Sequence, residues 1–528
     1  MTPDATPMTL DALPATPPRS ERPARQSLTR SAALTAIASL LDYAAQLVAM
    51  LVVTPILVTA LGRSLYGVWE MLRQSVTYMT ATDGRPTDAL RLMIANQQAN
   101  EDVAAKRRYV GAALVVWVLF LPLMLVGGGI LVWVTPRITK LAPAFHGSVR
   151  VTCALLVLSF LVATLGSVPE AVLRGMNLGY KRMGLQASLS LVGGLLFAGA
   201  VTAGFGLQGL GAAQLLVAVL TGVCFWVLVK QYVPAYGVAR PARPEVKSLL
   251  NMSAWLTGGT IISHLLASSD VIILGVVLSP AVVATYVLTC AAARTVLGIF
   301  DFAVGAAIPG VAGVIGAGQY ERAGRLRTEL ILLTWLFVTG AGATILVWNR
   351  SFLDLWVGPQ HYAGTWANLL IMCIAGEVAF VRSYQHIIDA SLRPRPRVVV
   401  TAVSAVVMVV TSLLLTRRLG IVGLCLGIVA GRTTQFLAYP LLVAAVLHEP
   451  RTVPLRRILR PLVTTLALFA LATALGERLV VHHWIEWVGV VAVSGGVFVA
   501  VALVAGLAAP ARRTVVRRCL ALGRSSLG

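Results

Sequence analysis

The sequence predicts an all-α integral membrane protein with about fourteen transmembrane helices. Two observations carry this prediction. First, 57% of the 528 residues are hydrophobic and only 12% are charged, whereas soluble proteins carry about 25% charged residues. Second, the apolar residues are gathered into long stretches, and a spanning helix needs about 20 consecutive, mainly apolar residues. The composition therefore excludes an ordinary soluble domain.

Fourteen apolar stretches are long enough to cross a bilayer, with ends defined to within a few residues. They cover residues 31–60, 65–84, 109–134, 149–173, 184–204, 209–230, 249–278, 281–307, 328–349, 362–389, 398–416, 419–446, 461–478 and 484–508. The connections on the outer side are short. No soluble catalytic domain is therefore expected between the helices.

The distribution of positive charge predicts the orientation. The net charge is +22, and an alternating chain with a cytoplasmic N-terminus places 31 Lys and Arg residues inside and 8 outside. Lys and Arg accumulate in cytoplasmic loops, so both termini are predicted to be cytoplasmic. Basic runs beside spans are expected to face anionic lipid. Nucleic acid is not an expected partner, because its recognition needs a basic face on a soluble domain.

Few residues indicate any other chemistry. The six cysteines include no CxxC pair, so neither a disulfide framework nor a zinc site is predicted. The phosphate-binding motif GxxxxGK[ST] is absent from the sequence, which excludes an ATPase of that type within this chain. We predict a protein that is not an enzyme, with no catalytic residues, no bound metal and no cofactor apart from a coupling H⁺ or Na⁺.

Two similar turns occur 220 residues apart. The segment Leu61–Gly67 joins the first two spans, and Leu278–Pro280, followed by Tyr286, joins the seventh and eighth. Each turn leads into a helix with a tyrosine near its start, Tyr66 or Tyr286. Internal repeats of this kind are common in transporters, which bind substrate between the repeated blocks.

Five short sequence motifs follow one another between the first predicted span and the tenth. They are Leu61-Gly62-x3-Tyr66-Gly67-x-Trp69; Leu173-Arg174-Gly175 with Tyr180; Asp270-x-Ile272-Ile273-Leu274-Gly275 with Tyr286; Pro309 with Gly318-Gln319-Tyr320-Glu321-Arg322; and Leu355-Trp356-Val357-Gly358. In these motifs the chain resembles the oligosaccharide flippases of the MOP superfamily, the Wzx-type lipopolysaccharide and exopolysaccharide exporters. The resemblance implies two six-helix lobes that face each other in a V around a central cavity.

The resemblance also implies a division of the chain into six parts. They are a disordered cytoplasmic tail (1–30), an N-lobe of six spans (31–230), a cytoplasmic linker (231–248), a C-lobe of six spans (249–446), an extra helix pair (447–508) and a basic cytoplasmic tail (509–528).

Arginines near the middle of the predicted spans form the candidate binding site. An ionisable group at the bilayer centre costs about 2.5–3.5 kcal/mol on insertion scales and therefore indicates function. Arg73, Arg294 and Arg432 are expected to line the cavity and bind a pyrophosphate headgroup, because guanidinium groups match phosphate oxygens bidentately. The repeat places Arg73 one residue from the counterpart of Arg294, so the two are expected to approach from opposite lobes.

Acidic residues in the same spans have two candidate roles. Asp42, Asp270 and Glu377 are expected either to pair with the arginines when substrate is absent or to carry the coupling ion. Three further ionisable residues lie nearer the inner surface, where long side chains reach the headgroups. For these residues, Asp301, Arg382 and His386, a structural role is favoured.

The resemblance implies that the protein flips a polyprenyl-pyrophosphate-linked oligosaccharide across the bacterial inner membrane by alternating access, for surface polysaccharide biosynthesis. Its expected partners are the lipid-linked oligosaccharide, membrane lipid, and a polysaccharide polymerase and glycosyltransferases. Three alternatives stay open: a cation-coupled multidrug exporter of the same fold, a membrane-embedded polysaccharide polymerase or ligase, and a scaffold without transport. An exporter of cationic drugs favours an acid-dominated cavity, and a polymerase or ligase typically needs a long outer loop.

Overall fold

The computed structural model of the chain describes residues 21–96, 102–176, 178, 183–234, 236–390, 395–448 and 455–513. Within these ranges the chain forms α-helices, a few short 3₁₀ and π turns, and no strand. The helices are α1 (Glu21–Thr77), α2 (Pro86–Asn96), α3 (Val103–Ile138), α4 (His146–Gly175), α5 (Met183–Thr202), α6 (Gly206–Tyr232), α7 (Arg243–Val277), α8 (Pro280–Thr289), α9 (Ala291–Gly316), α10 (Tyr320–Trp356), α11 (Thr365–Ala390), α12 (Arg395–Leu447), α13 (Leu455–Arg478) and α14 (Trp484–Val501). The predicted all-α class is confirmed.

Many of these helices are long and apolar enough to cross a membrane. By length and composition the described residues contain eleven such helices, or twelve if the bent pair α8–α9 forms one broken span. The predicted count of fourteen is not confirmed by this measure. The difference arises in α1 and α12, which are each much longer than one span.

Helix α12 is a hairpin of two antiparallel halves. Its backbone is broken at Gly420, where φ is 60° and ψ is −135°, a conformation that favours glycine. Side chains before the break bond groups after it in reverse order: Thr411 Oγ1 donates to the Gly427 carbonyl at 3.1 Å, and Ser404 Oγ to the Gly431 carbonyl at 2.6 Å. The two halves therefore lie side by side.

Helix α1 is broken in the same way at Gly62, where φ is 72° and ψ is 168°. A straight helix of 57 residues would be about 85 Å long, nearly three times the hydrocarbon thickness of a bilayer. If each half of α1 and α12 is one span and the bent pair α8–α9 is another, the total agrees with the predicted fourteen, which stays a prediction.

The termini differ from the predicted tails where they are described. Helix α1 begins at Glu21, so residues 21–30 are helical instead of disordered. Six of these ten residues are Arg, Ala, Gln or Leu, which are good helix formers. The last described helical residues end at 513, and positions 1–20 and 514–528 lie outside the described residues.

The C-terminal helices α13 and α14 pack against α10. Trp335 Nε1 donates to Thr465 Oγ1 of α13 at 2.9 Å, and Trp348 Nε1 donates to Ser494 Oγ of α14 at 2.8 Å. Phe469 and Phe498 complete the contact in one buried cluster. The pair thus packs along α10, and Trp487 of α14 also borders the buried cluster that contains Tyr66 and Trp69 of α1.

Helix α7 packs against both lobes. Leu249 near its start lies in a buried cluster with Phe225 of α6, whereas Leu274 near its end lies in a cluster with Leu424 of α12. The preceding segment is also attached to the N-lobe, because the Ala239 amide donates to the Arg107 carbonyl at 3.2 Å. The first part of α7 therefore packs on the N-lobe, and its last part packs on the C-lobe.

Helix α1 makes the reciprocal contact. The hydroxyl of Tyr43 donates to the Thr295 carbonyl of α9 at 2.6 Å. The ring of Tyr43 also contacts Phe302 edge-on, with a distance of 5.2 Å between the ring centroids. The first helix of each lobe therefore packs partly on the opposite lobe.

Candidate substrate-binding site between the lobes

A bent span in the C-lobe positions the first group of candidate residues. Helices α8 and α9 meet at an angle of 47° around Cys290. Ser279 precedes α8, and Pro280 occupies its first position, where the missing N–H costs no hydrogen bond. Tyr286 lies before the bend and Arg294 after it.

Both of these side chains bind the same oxygen of Asp270 on α7. The Tyr286 hydroxyl donates to Asp270 Oδ2 at 2.9 Å, and Arg294 Nη2 donates to the same atom at 3.2 Å. The Val271 amide donates to the other oxygen, Oδ1, at 2.8 Å. Tyr286 is 3% exposed, whereas the Arg294 side chain is 47% exposed. The buried tyrosine and carboxylate thus support an accessible guanidinium.

The N-lobe contains a matching group on the second half of α1. Arg73 Nη2 donates to Glu70 Oε2 at 3.0 Å, and the side chain of Tyr66 also interacts with Glu70. These three residues follow one another at helical spacings of four and three, so they share one helix face. Tyr66 is buried, and the Arg73 side chain is 58% exposed.

Arg73 of α1 and Arg294 of α9 lie near each other at the contact between the lobes. The two guanidinium groups interact electrostatically with each other, and Arg294 also interacts with Glu70 of α1. Both side chains are about half exposed. The structure therefore brings Arg73 and Arg294 near each other, and their role as headgroup ligands in a cavity stays a prediction.

Arg432 lies deeper in the C-lobe. Its Nη2 donates to the Leu266 carbonyl of α7 at 3.2 Å, and its charge interacts with Asp270 and Glu377. Glu377 Oε1 accepts a hydrogen bond from Thr433 Oγ1 at 2.8 Å. Glu377 Oε2 is buried and has no hydrogen-bond partner among the described residues. Arg432 thus joins α7, α11 and α12.

The remaining ionisable residues divide between the lobe contact and the C-lobe. Asp42 is 9% exposed and precedes Tyr43, which contacts α9. Arg382 of α11 forms an ion pair with Asp301 of α9, and its neighbour His386 interacts electrostatically with it. The ion pair between these two helices agrees with the structural role favoured for these residues.

The lobes are closed against each other beside the two repeated turns. A Cβ atom on Gly67 would overlap the carbonyl oxygen of Pro280, so glycine permits this close approach. Arg63 Nη2 donates to Thr285 Oγ1 at 2.8 Å, and Lys140 Nζ donates to the Val277 carbonyl at 3.2 Å. These three contacts, which we call the turn-side seal, all join the N-lobe to α7 or α8.

Sequence reasoning missed part of this site. Tyr66 and Tyr286 were notable only as markers of the repeat. The spacing of Tyr66 and Glu70 by four residues on one helix could have indicated their contact. No sequence signal links Tyr286 to Asp270, because the two lie on different helices. Among the described residues, no group of three or more His, Cys, Asp or Glu side chains could hold a metal ion.

Comparisons with known proteins agree with the fold. Residues 113–311 match the family model described as polysaccharide biosynthesis protein. No curated protein matches the sequence. The lipid II flippase MurJ, in an inward closed conformation, superimposes with a TM-score of 0.65 over 89% of this chain and 97% of MurJ, at 10% identity.

Multidrug transporters have the same architecture. An inward-facing MATE family transporter of the MOP superfamily has a TM-score of 0.57 at 16% identity, covering 76% of this chain and 95% of its own. The Vibrio cholerae MATE transporter VcmN, in its bent form, has a TM-score of 0.54 at 12% identity, covering 80% and 98%. The chain is a multi-pass membrane protein with the fold of the MATE transporters and MurJ, and its residues 113–311 are similar to polysaccharide biosynthesis proteins.

Proposed function

We propose that the protein flips a polyprenyl-pyrophosphate-linked oligosaccharide from the cytoplasmic to the outer leaflet by alternating access. The observation that carries this proposal is the proximity of the exposed guanidinium groups of Arg73 and Arg294, one from each lobe, which interact electrostatically. A diphosphate offers several anionic oxygens, and two guanidinium groups can bind it from opposite sides. The match of residues 113–311 to polysaccharide biosynthesis proteins supports an oligosaccharide as the cargo.

The paired carboxylates allow an exchange of partners. At rest Glu70 and Asp270 neutralise the two arginines, which avoids isolated charges inside the membrane. A diphosphate that binds between the lobes replaces these carboxylates on the guanidinium groups. Because both lobes then hold one ligand, its binding favours closure of the lobes around the headgroup.

Arg432 and the remaining acids complete the proposed site. Arg432 supplies a third positive charge deeper in the C-lobe, beside Asp270 and Glu377. Glu377 carries the coupling proton, because its buried Oε2 has no hydrogen-bond partner among the described residues and protonation removes the cost of a buried anionic oxygen. Asp42 contributes charge near the contact of α1 with α9.

A cation-coupled exporter of cationic drugs is less well supported by the same geometry. Such a site needs acidic side chains that are free to bind the cargo. Glu70 and Asp270 are instead each engaged by an arginine, and the arginines are the more exposed members of the pairs. The accessible surface near these pairs is therefore cationic.

The proposed location and partners follow from the substrate. The protein acts in the bacterial inner membrane with both termini in the cytoplasm, because 31 of the Lys and Arg residues then lie inside. Glycosyltransferases supply the lipid-linked oligosaccharide, and a polysaccharide polymerase consumes it. No enzymatic activity and no resident cofactor are proposed.

Depletion of the protein tests the proposal directly. Lipid-linked glycan is extracted after depletion, and its leaflet is determined with a membrane-impermeant periodate label. Retention of unprocessed glycan on the inner leaflet is the expected result. Re-expression of the Arg73→Ala or Arg294→Ala variant should not restore export, whereas Arg397→Ala, which removes an arginine paired with Asp389, should. Normal export by both site variants would exclude the assigned residues, and a normal leaflet distribution after depletion would exclude flipping.

A further inference from the structure

We propose that Asn349 is a positioning residue for Arg294, because it fixes the break between α8 and α9. This inference rests on the proposed function of Arg294 as a headgroup ligand. Asn349 is only 2% exposed and lies on α10. Among the hydrogen bonds of the described residues, Asn349 does not bond Asp270 or Arg294. It would therefore position Arg294 indirectly, through the backbone of the bent span.

The bend is needed because Tyr286 and Arg294 reach one oxygen from positions eight residues apart. In a straight helix, eight residues span about 12 Å along the axis and differ by about 80° around it. Both side chains nevertheless donate to Asp270 Oδ2. The 47° bend between α8 and α9 changes the direction of Arg294 relative to Tyr286. The C-lobe site thus depends on the geometry of the break.

The carbonyl of Thr289 at the end of α8 is held by Asn349. The last carbonyl groups of a helix need partners from outside it. Asn349 Nδ2 donates to the Thr289 carbonyl at 3.0 Å and to Asn368 Oδ1 at 2.8 Å. The Thr289 hydroxyl accepts from the Ala363 amide at 3.0 Å, and its one proton has two acceptors within reach, the Thr285 carbonyl at 2.8 Å and the His361 carbonyl at 3.2 Å. Helices α10 and α11 and their connection therefore anchor the break.

Loss of the Asn349 side-chain amide would leave the Thr289 carbonyl without this hydrogen-bond donor. Thr289 is 0% exposed, so water is not at hand to replace Asn349 at its carbonyl. A buried carbonyl without a partner favours a conformation in which it bonds an amide of its own helix. That change would straighten the bend and carry Arg294 away from Asp270.

The N-lobe provides an internal control for this idea. Tyr66, Glu70 and Arg73 all lie after Gly62 on one uninterrupted stretch of α1, so their grouping needs no break. A substitution at Asn349 should therefore affect position 294 and leave position 73 unchanged. A general loosening of the protein would affect both positions.

Cysteine labelling tests the inference without a substrate. The full chain, with its six native cysteines replaced by alanine, receives Arg294→Cys or Arg73→Cys and is treated in membrane vesicles with the cationic thiol reagent MTSEA. Asn349→Leu is expected to change the labelling rate at position 294 by roughly tenfold, comparable to the loss of one buried hydrogen bond. The rate at position 73 should stay within about twofold. Gln435→Leu is the matched control, because Gln435 is a similarly buried amide that bonds Tyr439 on its own helix and lies outside the contacts of Asn349 and Thr289.

Two outcomes would overturn the inference: an unchanged rate at position 294, or equal changes at positions 294 and 73. If Asn349→Leu does not accumulate in the membrane, Asn349→Asp, which has the same shape but no amide donor, should give the same change. In the flipping assay, Asn349→Leu should cause no further loss in an Arg294→Ala background. Failure of the wild-type protein to flip, with labelling as expected, would reject the proposed function and retain the anchoring role.

Discussion

Tyr66 and Tyr286 stand 220 residues apart, and each interacts with the carboxylate that pairs with an arginine of its own lobe. The two groups are built differently. In the N-lobe all three members lie on one helix, whereas in the C-lobe the acid comes from α7 and the other two from the bent span. Each lobe thus contains a tyrosine, a carboxylate and an arginine in contact, although the carboxylate lies at a different position in the chain of each lobe.

Neutralising the acid of the C-lobe group should strengthen headgroup binding. In the Asp270→Asn variant Arg294 loses its competing carboxylate, so affinity for inorganic pyrophosphate should rise by roughly tenfold, equivalent to about 1.4 kcal/mol. Isothermal titration calorimetry in nanodiscs measures this change. Asp389→Asn is the control, since Asp389 pairs with Arg397 elsewhere in the C-lobe. Equal affinity in Asp270→Asn and wild type would show that the pair does not compete with the ligand.

Replacing Glu377 should remove the dependence of flipping on a proton gradient. Glu377→Gln keeps an acceptor for Thr433 but cannot exchange a proton. In proteoliposomes, wild-type flipping should accelerate when a gradient is imposed, and flipping by the variant should not respond. Glu486→Gln, at the exposed start of α14, should respond like wild type. A variant that keeps the full response would rule out Glu377 as the coupling group.

Enlarging Gly67 should prevent the turn-side seal from forming. A methyl group at this position overlaps the Pro280 carbonyl, so Gly67→Ala should shift the lobes apart at that end. Spin labels placed on the α1 turn and on α8 should report a longer distance by electron–electron resonance. Gly313→Ala serves as the control, because a Cβ there meets no atom within 4 Å. Identical distance distributions in the two variants would contradict this role of Gly67.

The stability of the protein should fall in mild acid because of His361. Burial lowers the pKa of this imidazole, in the connection between α10 and α11. Its contribution to stability is therefore fully present above the ordinary value of about 6.5 and is lost as the pH falls through the lowered pKa. The melting temperature in detergent should drop on acidification, and less so in His361→Gln. The exposed His482 provides the comparison: His482→Gln should follow wild type, and a shared response of all three proteins would refute the prediction.

The sequence was sufficient for the class of fold, and it identified some of the residues that the structure places near one another. Apolar length predicted the helices: the break at Gly62 lies between the first two predicted spans, and the break at Gly420 lies at the second residue of the predicted twelfth span. The repeat predicted that Arg73 and Arg294 approach each other, because related positions in two lobes face a common axis. Arg432 was grouped with them, but its guanidinium donates to a carbonyl of α7.

Other features depend on contacts between distant segments. Asn349 and Thr289 are 60 residues apart, and neither belongs to a recognisable motif, so no local pattern indicates that one holds the other. The same holds for Tyr286 and Asp270, which meet only because α7 and α8 lie side by side. Periodicity identifies which face of a helix is buried, but it does not identify the partner that buries it.

Helix α1 packs partly on the C-lobe and α7 packs partly on the N-lobe, and this arrangement affects how the protein folds during synthesis. The surface of α6 around Phe225 is covered by Leu249 of α7, and α9 is bonded by Tyr43 of α1. A fragment that ends at residue 230 would leave an uncovered apolar surface, and one that begins at residue 249 would lack the helix that bonds Thr295. We therefore expect that neither half, expressed alone, reproduces the packing that it has in the full chain. During synthesis, the N-terminal half is expected to complete its packing only after α7 has been inserted.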